Sequence, residues 1–333
     1  MEFRTTFQIT PSDFKITYRN PVILLGSCFS IYIGDLFKRG HIPVMINPTG
    51  TIYNPVSVGV ALNSVATNRV YTIKDLYNNN GTWLSFDHYT NFSGTNPNEV
   101  IDRINRGLSA ASEFLFRAGH LFITFGTARI YRRNESGKIV SNCHKLPSNE
   151  FKHELLTVDE IVFAWLRHLD DLQLKFPGLK VVFTISPIRH WKDGAHENQV
   201  SKSVLFLAVE ELLKHPSQPA YFPSYEIVMD DLRDYRFYEE DMLHLTPSAV
   251  NYIWEAFTDS YFEAKTLEVW KDVAKIDTAM GHRLKGDSAG NIVKFSERIL
   301  RQIESILQKE PGIDLEKERD YFSGLKNKHI KEI

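Results

Sequence analysis

The chain has 333 residues, of which 43% are hydrophobic and 24% are charged, a composition that excludes intrinsic disorder and suits a folded α/β protein. Its 39 basic and 41 acidic residues leave a formal net charge of -2, so no overall field draws it to nucleic acid or to a membrane surface. With two cysteines, no apolar stretch of about 18 residues and no secretory signal at its start, the sequence predicts a cytoplasmic protein without disulfides.

Four apolar runs predict the buried strands of a parallel sheet. They cover residues 22–25, 42–46, 121–125 and 181–185. Stretches with helical spacing of apolar residues accompany them, at about 28–39, 55–67, 98–118 and 157–175. Strands that alternate with helices pair in parallel through right-handed crossovers, so the pattern predicts an α/β fold.

The remaining segments predict a hairpin, a loop and a helical tail. Residues 129–142 place short β-prone runs on both sides of a turn. Residues 186–203 are too polar and irregular for a core element and are interpreted as a loop. From about residue 262 the pattern is helical and rich in Lys and Glu. We therefore predict an α/β domain over residues 1–262 and a helical C-terminal appendage over residues 263–333.

The turn Gly26-Ser27 joins the first predicted strand to the first predicted helix. In open α/β sheets ligands bind at the carboxyl ends of strands, where a helix N-terminus offers N–H groups to a developing oxyanion. Ser27 therefore has the position of a nucleophile, although a serine there also serves as a plain N-cap. Cys28 is the alternative nucleophile, ranked second because one step into the helix should turn its side chain away from the direction of Ser27.

Asp241 and His244 form a second motif, three positions apart, before the helix start Thr246-Pro247. His244 is expected in the loop before that helix, with the Asp241 carboxylate near enough to fix the imidazole tautomer and to stabilise the imidazolium. A surface ion pair is the alternative interpretation of this spacing. Ser, Asp and His in this order along the chain are typical of an α/β hydrolase triad.

The segment Gly26-Ser27-Cys28-Phe29 resembles the signature of the GSCFA family, and five further segments resemble the family in order. These are residues 47–55, 125–128, 142–145, 186–190 and 241–244. The resemblance spans about residues 20–260. The family is similar to the SGNH, or GDSL-type, hydrolases, which implies a three-layer α/β/α sandwich with a parallel sheet of about five strands in flavodoxin-like order. The resemblance also implies acyl-ester hydrolysis by Ser27, Asp241 and His244.

The chain departs from the SGNH pattern in two blocks. Gly26-Ser27-Cys28 stands where that pattern has Gly-Asp-Ser, and residues 126–129 replace its third block, Gly-x-Asn-Asp. The usual oxyanion-hole Asn is therefore missing. We expect backbone N–H groups of Ser27 and Gly50 to serve instead, together with Asn142, which the predicted hairpin returns to the edge of the sheet. Simple termination of the hairpin is the alternative role for Asn142.

Several residues near these motifs are predicted to bind substrate. They are Gly126, Thr127, His144, Arg189, His190 and Trp191. Within residues 186–203, Trp191 suits stacking on a sugar ring and Arg189 suits a carboxylate or phosphate. A solvated connecting loop is the alternative for this segment.

A metal site is a further hypothesis for the histidines and cysteines. Its ligands would come from His144, His190, His196, His244, Cys28 and Cys143. The chain has neither a His-Glu-x-x-His nor a Cys-x-x-Cys spacing, so we expect no metal site.

Together these features predict a serine-dependent hydrolase of small acyl esters that needs no cofactor. Its expected partner is a small-molecule or glycan ester, with carbohydrate O-acetyl esters as the first class to test, and neither nucleic acid nor a membrane. Two alternatives remain. One is an acyltransferase with the same triad, and the other is a non-catalytic glycan- or metabolite-binding protein with a vestigial site.

Overall fold

The computed structural model describes residues 4–281 and 288–331. Its strands are β1 (Val22–Gly26), β2 (Val44–Ile46), β3 (Tyr77–Asn79), β4 (Thr82–Leu84), β5 (His120–Phe125), β6 (Arg129–Arg133), β7 (Ile139–Val140), β8 (Phe151–Leu155), β9 (Lys180–Ile185) and β10 (Ala220–Tyr221). Its α-helices are α1 (Cys28–Arg39), α2 (Pro55–Ala66), α3 (Pro97–Arg117), α4 (Val158–Lys175), α5 (Ala195–Leu212), α6 (Ser224–Glu226), α7 (Pro247–Tyr261), α8 (Ala264–Met280), α9 (Ala289–Lys309) and α10 (Glu316–Ile330). A π-helical turn, Ile227–Asp231, follows α6.

A five-stranded parallel sheet forms the centre of the fold, in the order β10-β9-β5-β1-β2. Counted along the chain this is the flavodoxin-like order 2-1-3-4-5. The predicted fold class is therefore confirmed. In this order the chain changes direction across the sheet between β1 and β5, and ligands bind beyond the carboxyl ends of strands at such a switch point.

Two hydrophobic clusters cover the two faces of the sheet. Ile23 and Leu25 of β1 point into one cluster with α2, α3, α4 and α5, whereas Val22 and Leu24 point into the other with α1 and α7. Alternate residues of a strand face opposite sides of a sheet, so an uninterrupted apolar run is what a strand covered on both faces requires. The result is a three-layer α/β/α sandwich.

Aromatic rings join α1 to α7 on one face. The ring of Phe37 lies 5.0 Å from that of Trp254 and 5.7 Å from that of Phe257, both edge-on. Such edge-to-face contacts add about 0.5–1.5 kcal/mol each beyond the burial of apolar area. The two helices are thereby held together at the side of the sheet.

The C-terminal helices α8, α9 and α10 pack on this same face. Val269, Ile303 and Phe322 are buried in the cluster that contains α1 and α7, and the indole N–H of Trp270 donates to the carbonyl oxygen of Leu36 at 2.8 Å. The domain boundary at residues 262 and 263 stays a prediction, and residues 1–3, 282–287 and 332–333 of the two predicted domains lie outside the described residues. No helix in the described part of the chain is both long and apolar enough to cross a membrane.

A smaller antiparallel sheet, β7-β6-β8, contains the predicted hairpin and a third strand that the sequence does not predict. It is bound to the segment after β9 by charged side chains. Arg129 pairs with Glu197, and His153 Nε2 lies 3.6 Å from Asp193 Oδ1. The small sheet therefore supports the segment that carries Arg189 and Trp191.

The interpretation of residues 186–203 as a loop is wrong for its second half. Helix α5 begins at Ala195, and its polar residues Asn198, Ser201 and Lys202 are at most 2% exposed. Their partners are backbone groups and side chains at the ends of the strands, which lets polar side chains occupy a buried helix face.

The turn after β1 requires glycine. Gly26 has φ +135°, and a Cβ atom there would lie 2.1 Å from the carbonyl oxygen of Thr124. Its N–H donates to Asn47 Oδ1 at 2.8 Å, and its carbonyl accepts from the Ile52 N–H at 3.0 Å. Because the neighbouring strands approach so closely, only glycine fits at position 26.

We predict that Gly26→Ala lowers the free energy of unfolding by about 3 kcal/mol, because it combines an unfavourable φ with a backbone clash. Urea denaturation measures the change. Gly137→Ala is the matched control, since Gly137 also has a positive φ of +66°, but a Cβ atom added there would meet nothing within 4 Å. That control should lose only about 1 kcal/mol. Equal losses of unfolding free energy in Gly26→Ala and Gly137→Ala would show that the clash with the Thr124 carbonyl does not contribute.

Candidate active site

Ser27 is the N-cap of α1, at the carboxyl end of β1. Its Oγ accepts a hydrogen bond from the Phe29 N–H at 3.3 Å, and its own N–H donates to the carbonyl oxygen of Thr124 at 3.3 Å. The residue is only 1% exposed. Ser27 is therefore covered in this structure, and both its hydroxyl and its N–H have protein partners.

Cys28 is the first residue of α1 and is partly exposed. Burial raises the pKa of its thiol, whereas the backbone N–H groups of Cys28 and Phe29 and the ammonium of Lys202 act to lower it. The positive end of the helix dipole also favours a thiolate at this position. Of the two adjacent candidate nucleophiles, Cys28 is the more accessible.

Asp241 and His244 form a hydrogen-bonded pair in the loop before α7. His244 Nδ1 lies 2.5 Å from Asp241 Oδ2, while Asp241 Oδ1 accepts from the backbone N–H groups of Leu243 and His244, each at 2.9 Å. These bonds, above all the one from the His244 side chain, lower the pKa of Asp241 to about 2. The carboxylate is thus ionised and holds the proton on Nδ1. Across the described residues, His244 Nε2 has no hydrogen-bond partner, so it is free to accept a proton.

The loop that carries this pair is closed at its base. The N–H of Glu239 donates to the His244 carbonyl oxygen at 2.8 Å, and the N–H of Thr246 donates to the Phe237 carbonyl oxygen at 3.0 Å. Thr246 then caps α7, and Pro247 is its first residue, as the sequence predicts. The position of His244 is therefore fixed by the helix that follows it.

Tyr32 is influenced electrostatically by both halves of the site, the start of α1 and the Asp241–His244 loop. Burial raises the pKa of its phenol, and the neighbouring Cys28, Asp241 and Glu239 raise it further. Tyr53, on the other side, has its pKa raised to about 12 by burial and by Cys28, Tyr89 and Tyr32. Tyr32 is thus within electrostatic range of both the Cys28 thiol and the Asp241 carboxylate.

The two further oxyanion candidates already have partners. The N–H of Gly50 donates to the Asn47 carbonyl oxygen at 2.7 Å within a turn. The amide nitrogen of Asn142 donates to Thr90 Oγ1 at 3.2 Å, and its Oδ1 accepts from the His144 N–H at 2.7 Å. Their use as oxyanion donors stays a prediction, and it requires these bonds to be exchanged.

Gly126, Thr127 and His144 make protein contacts. The N–H groups of Gly126 and Thr127 both donate to the Tyr53 carbonyl oxygen, at 2.7 and 3.1 Å, and both residues are buried. His144 Nε2 lies 2.9 Å from the Ser85 carbonyl oxygen. These residues support the walls of the site, and a direct contact with substrate stays a prediction for each of them.

His190 lies against Tyr53, with ring centroids 5.7 Å apart, and burial lowers its pKa. Arg189 and Trp191 instead line an open cleft of about 510 Å³ beside the Asp241–His244 loop. The other lining residues are Val228, Met229, Arg233, Asp234, Tyr235, Tyr238, Asp241, Met242 and Leu243. The structure therefore brings two of the predicted substrate-binding residues to one cleft with Asp241.

The candidate metal ligands are dispersed. Cys28 and Cys143 are free thiols, His196 is exposed on α5, and His144 Nε2 contacts a backbone carbonyl. Within residues 4–281 and 288–331 no three His, Cys, Asp or Glu side chains are grouped so that they could hold a metal ion.

Comparison with known proteins gives the family. The sequence model of the GSCFA family matches residues 21–257. The chain belongs to the GSCFA family. No curated protein matches it. A solved structure from Streptococcus pneumonia, provisionally described as a platelet activating factor, is similar at 12% identity and a TM-score of 0.37, covering 73% of this chain and 88% of that one.

Lys202 is a residue of this GSCFA protein that the sequence does not single out. It is 0% exposed, and its Nζ donates to three carbonyl oxygens, those of Gly126 at 2.8 Å, Ser186 at 2.6 Å and Ile188 at 3.2 Å. Burial lowers the pKa of Lys202 to about 7, while the nearby Cys28 acts to raise it. The only signal in the sequence is a lysine at a position where helical spacing places apolar residues, with Leu205, Ala208 and Leu212 following it.

We predict that Lys202→Met lowers the free energy of unfolding by about 3 kcal/mol, because it leaves three buried carbonyl groups without a donor. Urea denaturation measures the loss. Lys214→Met is the control, since Lys214 is exposed and pairs with Glu211 at 2.7 Å. Its loss should stay below about 1 kcal/mol. Similar losses in both variants would contradict a special role for the buried ammonium.

The same substitution should also alter the titration of Cys28. Because the Lys202 ammonium lowers the pKa of this thiol, its removal should move the rate of alkylation by iodoacetamide to higher pH. Mass spectrometry of the Cys28 peptide measures the rate, and Cys143 in the same sample is the internal control. An unshifted profile would show that the ammonium does not act on the thiol.

Proposed function

We propose that the protein is a hydrolase of small acyl esters in which His244 is the general base and Asp241 its partner. The observation that carries the proposal is the 2.5 Å bond between His244 Nδ1 and Asp241 Oδ2, which leaves Nε2 free to accept a proton. An imidazole held in this tautomer accepts a proton from a nucleophile and returns it to a leaving group. The relation of the GSCFA family to SGNH hydrolases is part of this proposal.

The identity of the nucleophile is a separate part of the proposal. A serine esterase would use Ser27, as the order of the triad predicts. The exposure of the two residues favours Cys28 instead, because Cys28 is partly exposed whereas Ser27 is only 1% exposed. We therefore assign the attack to Cys28 and keep Ser27 as the alternative that the experiment must exclude.

The proposed reaction has two steps. His244 Nε2 takes the proton of the Cys28 thiol as Sγ attacks the ester carbonyl carbon, and the Cys28 N–H at the start of α1 stabilises the oxyanion. The ester C–O bond then breaks, His244 returns the proton to the leaving alcohol, and a thioester remains on Sγ. His244 then takes a proton from water as its oxygen attacks the thioester carbonyl carbon. The C–S bond breaks, His244 returns the proton to Sγ, and the carboxylic acid leaves.

Carbohydrate O-acetyl esters remain the first substrate class to test. Trp191 is 48% exposed at the cleft, and Tyr235 is 76% exposed there. Exposed aromatic faces of this kind pack against sugar rings.

The first prediction for this function concerns hydrolysis of 4-nitrophenyl acetate. We expect kcat/KM to fall by about 100-fold or more in His244→Asn, which lacks the general base. Cys28→Ala should lose the activity as completely, because it lacks the attacking atom. Cys143→Ala is the matched control and should keep it, since burial raises the pKa of that thiol to about 11.

Ser27→Gly tests the alternative nucleophile. Glycine removes the hydroxyl but costs an N-cap only a few tenths of a kcal/mol, so the variant should fold and keep most of its activity. Loss of activity in Ser27→Gly, with labelling of Ser27 by a fluorophosphonate and full activity in Cys28→Ala, would establish a serine esterase. Activity that is unchanged in His244→Asn would overturn the proposed function itself.

A further inference from the structure

Arg189 presents a cation to the cleft without an acidic partner. Its Nη2 makes one long contact, 3.4 Å, to the carbonyl oxygen of Ala195, and its guanidinium lies 4.8 Å from the ring centroid of Trp191. Its Nε is buried and has no acceptor. No carboxylate of the described residues forms an ion pair with it. The guanidinium is therefore positioned by stacking, and most of its five donors are unused.

Two other arginines with a buried, unbonded Nε show the contrast. Arg129 pairs with Glu197 through Nη2, and Arg133 pairs with Glu135. Both guanidinium charges are thus neutralised within the protein. Among these three arginines of the described chain, Arg189 alone lacks a carboxylate and also lines the cleft.

The other charged groups of the cleft already have partners. The Asp234 carboxylate accepts a hydrogen bond from the backbone N–H of Arg236 at 3.0 Å and lies 3.4 Å from the Arg236 guanidinium. The Asp241 carboxylate pairs with His244. Arg233 donates to the Thr5 hydroxyl and to a backbone carbonyl. The two carboxylates are therefore occupied. Arg233 also lacks a carboxylate partner, but two of its nitrogens make hydrogen bonds of 2.7 and 3.1 Å, whereas Arg189 makes only the long contact to Ala195. Arg189 is thus the cation of the cleft with the fewest hydrogen bonds.

Two phenol groups and the buried Lys202 lie within electrostatic range of Arg189. Burial raises the pKa values of Tyr225 and Tyr238, and Arg189 acts to lower both, so two phenol groups lie near the guanidinium. Arg189 also contributes to the lowered pKa of the buried Lys202. An anion bound here would offset the repulsion between these two cations and accept hydrogen bonds from the free guanidinium nitrogens.

We propose that the substrate carries a carboxylate or phosphate group which Arg189 binds in the cleft while its ester lies at the Cys28 and His244 site. This inference rests on the proposed function and names its substrate class, an ester with one anionic group. Both anions have paired oxygens that match the fork of a guanidinium, so the geometry fits either. The exposed ring of Trp191 would support the part of the substrate between the anion and the ester.

Matched aryl acetates test the specificity. The esters are 4-acetoxybenzoate and 4-acetoxyphenyl phosphate, with neutral 4-acetoxybenzamide as the reference, and each kcat/KM is divided by the uncatalysed rate of that ester. We expect the protein to prefer at least one anionic ester by about 10-fold, typical of a single charged hydrogen-bonded contact. Arg189→Gln should abolish that preference, and the preferred anion distinguishes carboxylate from phosphate. A preference that survives in Arg189→Gln, or none in the unmodified protein, would overturn the inference.

Binding of product-like anions provides a readout that needs no catalysis. Benzoate and phenyl phosphate are titrated by calorimetry into the unmodified protein, Arg189→Gln and the control Arg236→Gln, whose arginine already pairs with Asp234. Binding should weaken by about 10-fold in Arg189→Gln only. Weaker anion binding in Arg189→Gln only, together with no hydrolysis of any ester, would support the anion site and reject the proposed function. Hydrolysis with equal or absent anion binding in all three proteins would reject the anion site and retain the function.

Discussion

The ammonium of Lys202 is the contact on which the geometry of the site depends. Strands β5 and β9 end side by side, and parallel strands leave carbonyl groups at that edge which no further strand satisfies. Lys202 binds three of these carbonyl groups, and its helix packs on the strands behind them. The segments that leave the two strands are therefore held together at their first residues. One of those segments carries Gly126, and the other carries Arg189, His190 and Trp191.

Much of the fold follows from the sequence because its signals are local. Fully apolar runs predict β1, β5 and β9, and Thr246-Pro247 predicts the start of α7. The edge strand β10 has only two residues, Ala220 and Tyr221, too few for a periodic pattern. Helix α5 resembles a loop over its first residues because the groups that satisfy its buried polar side chains are distant in the chain. Tertiary partners of this kind cannot be deduced from local pattern.

The site shows the same division. Asp241 and His244 lie three residues apart, so their contact follows from spacing alone, and the structure places them within hydrogen-bonding distance. The accessibility of Ser27 and Cys28 depends on the surrounding strands, among them β5, whose Thr124 accepts a hydrogen bond from the Ser27 N–H although it lies about a hundred positions away in the chain. Likewise, the charge on Arg189 is evident from the sequence, whereas its lack of a carboxylate partner becomes visible only when the whole cleft is assembled.

The aromatic contact between α1 and α7 has a consequence for how the site can move. Cys28 is the first residue of α1, and His244 lies three residues before the first residue of α7. Phe37 and Trp254, which join these helices, each lie within one to three helical turns of those ends. A rotation of either helix about this contact would therefore change the distance between the Cys28 thiol and the His244 imidazole. In the proposed mechanism, the packing of these two rings therefore influences the distance over which His244 takes the proton of Cys28.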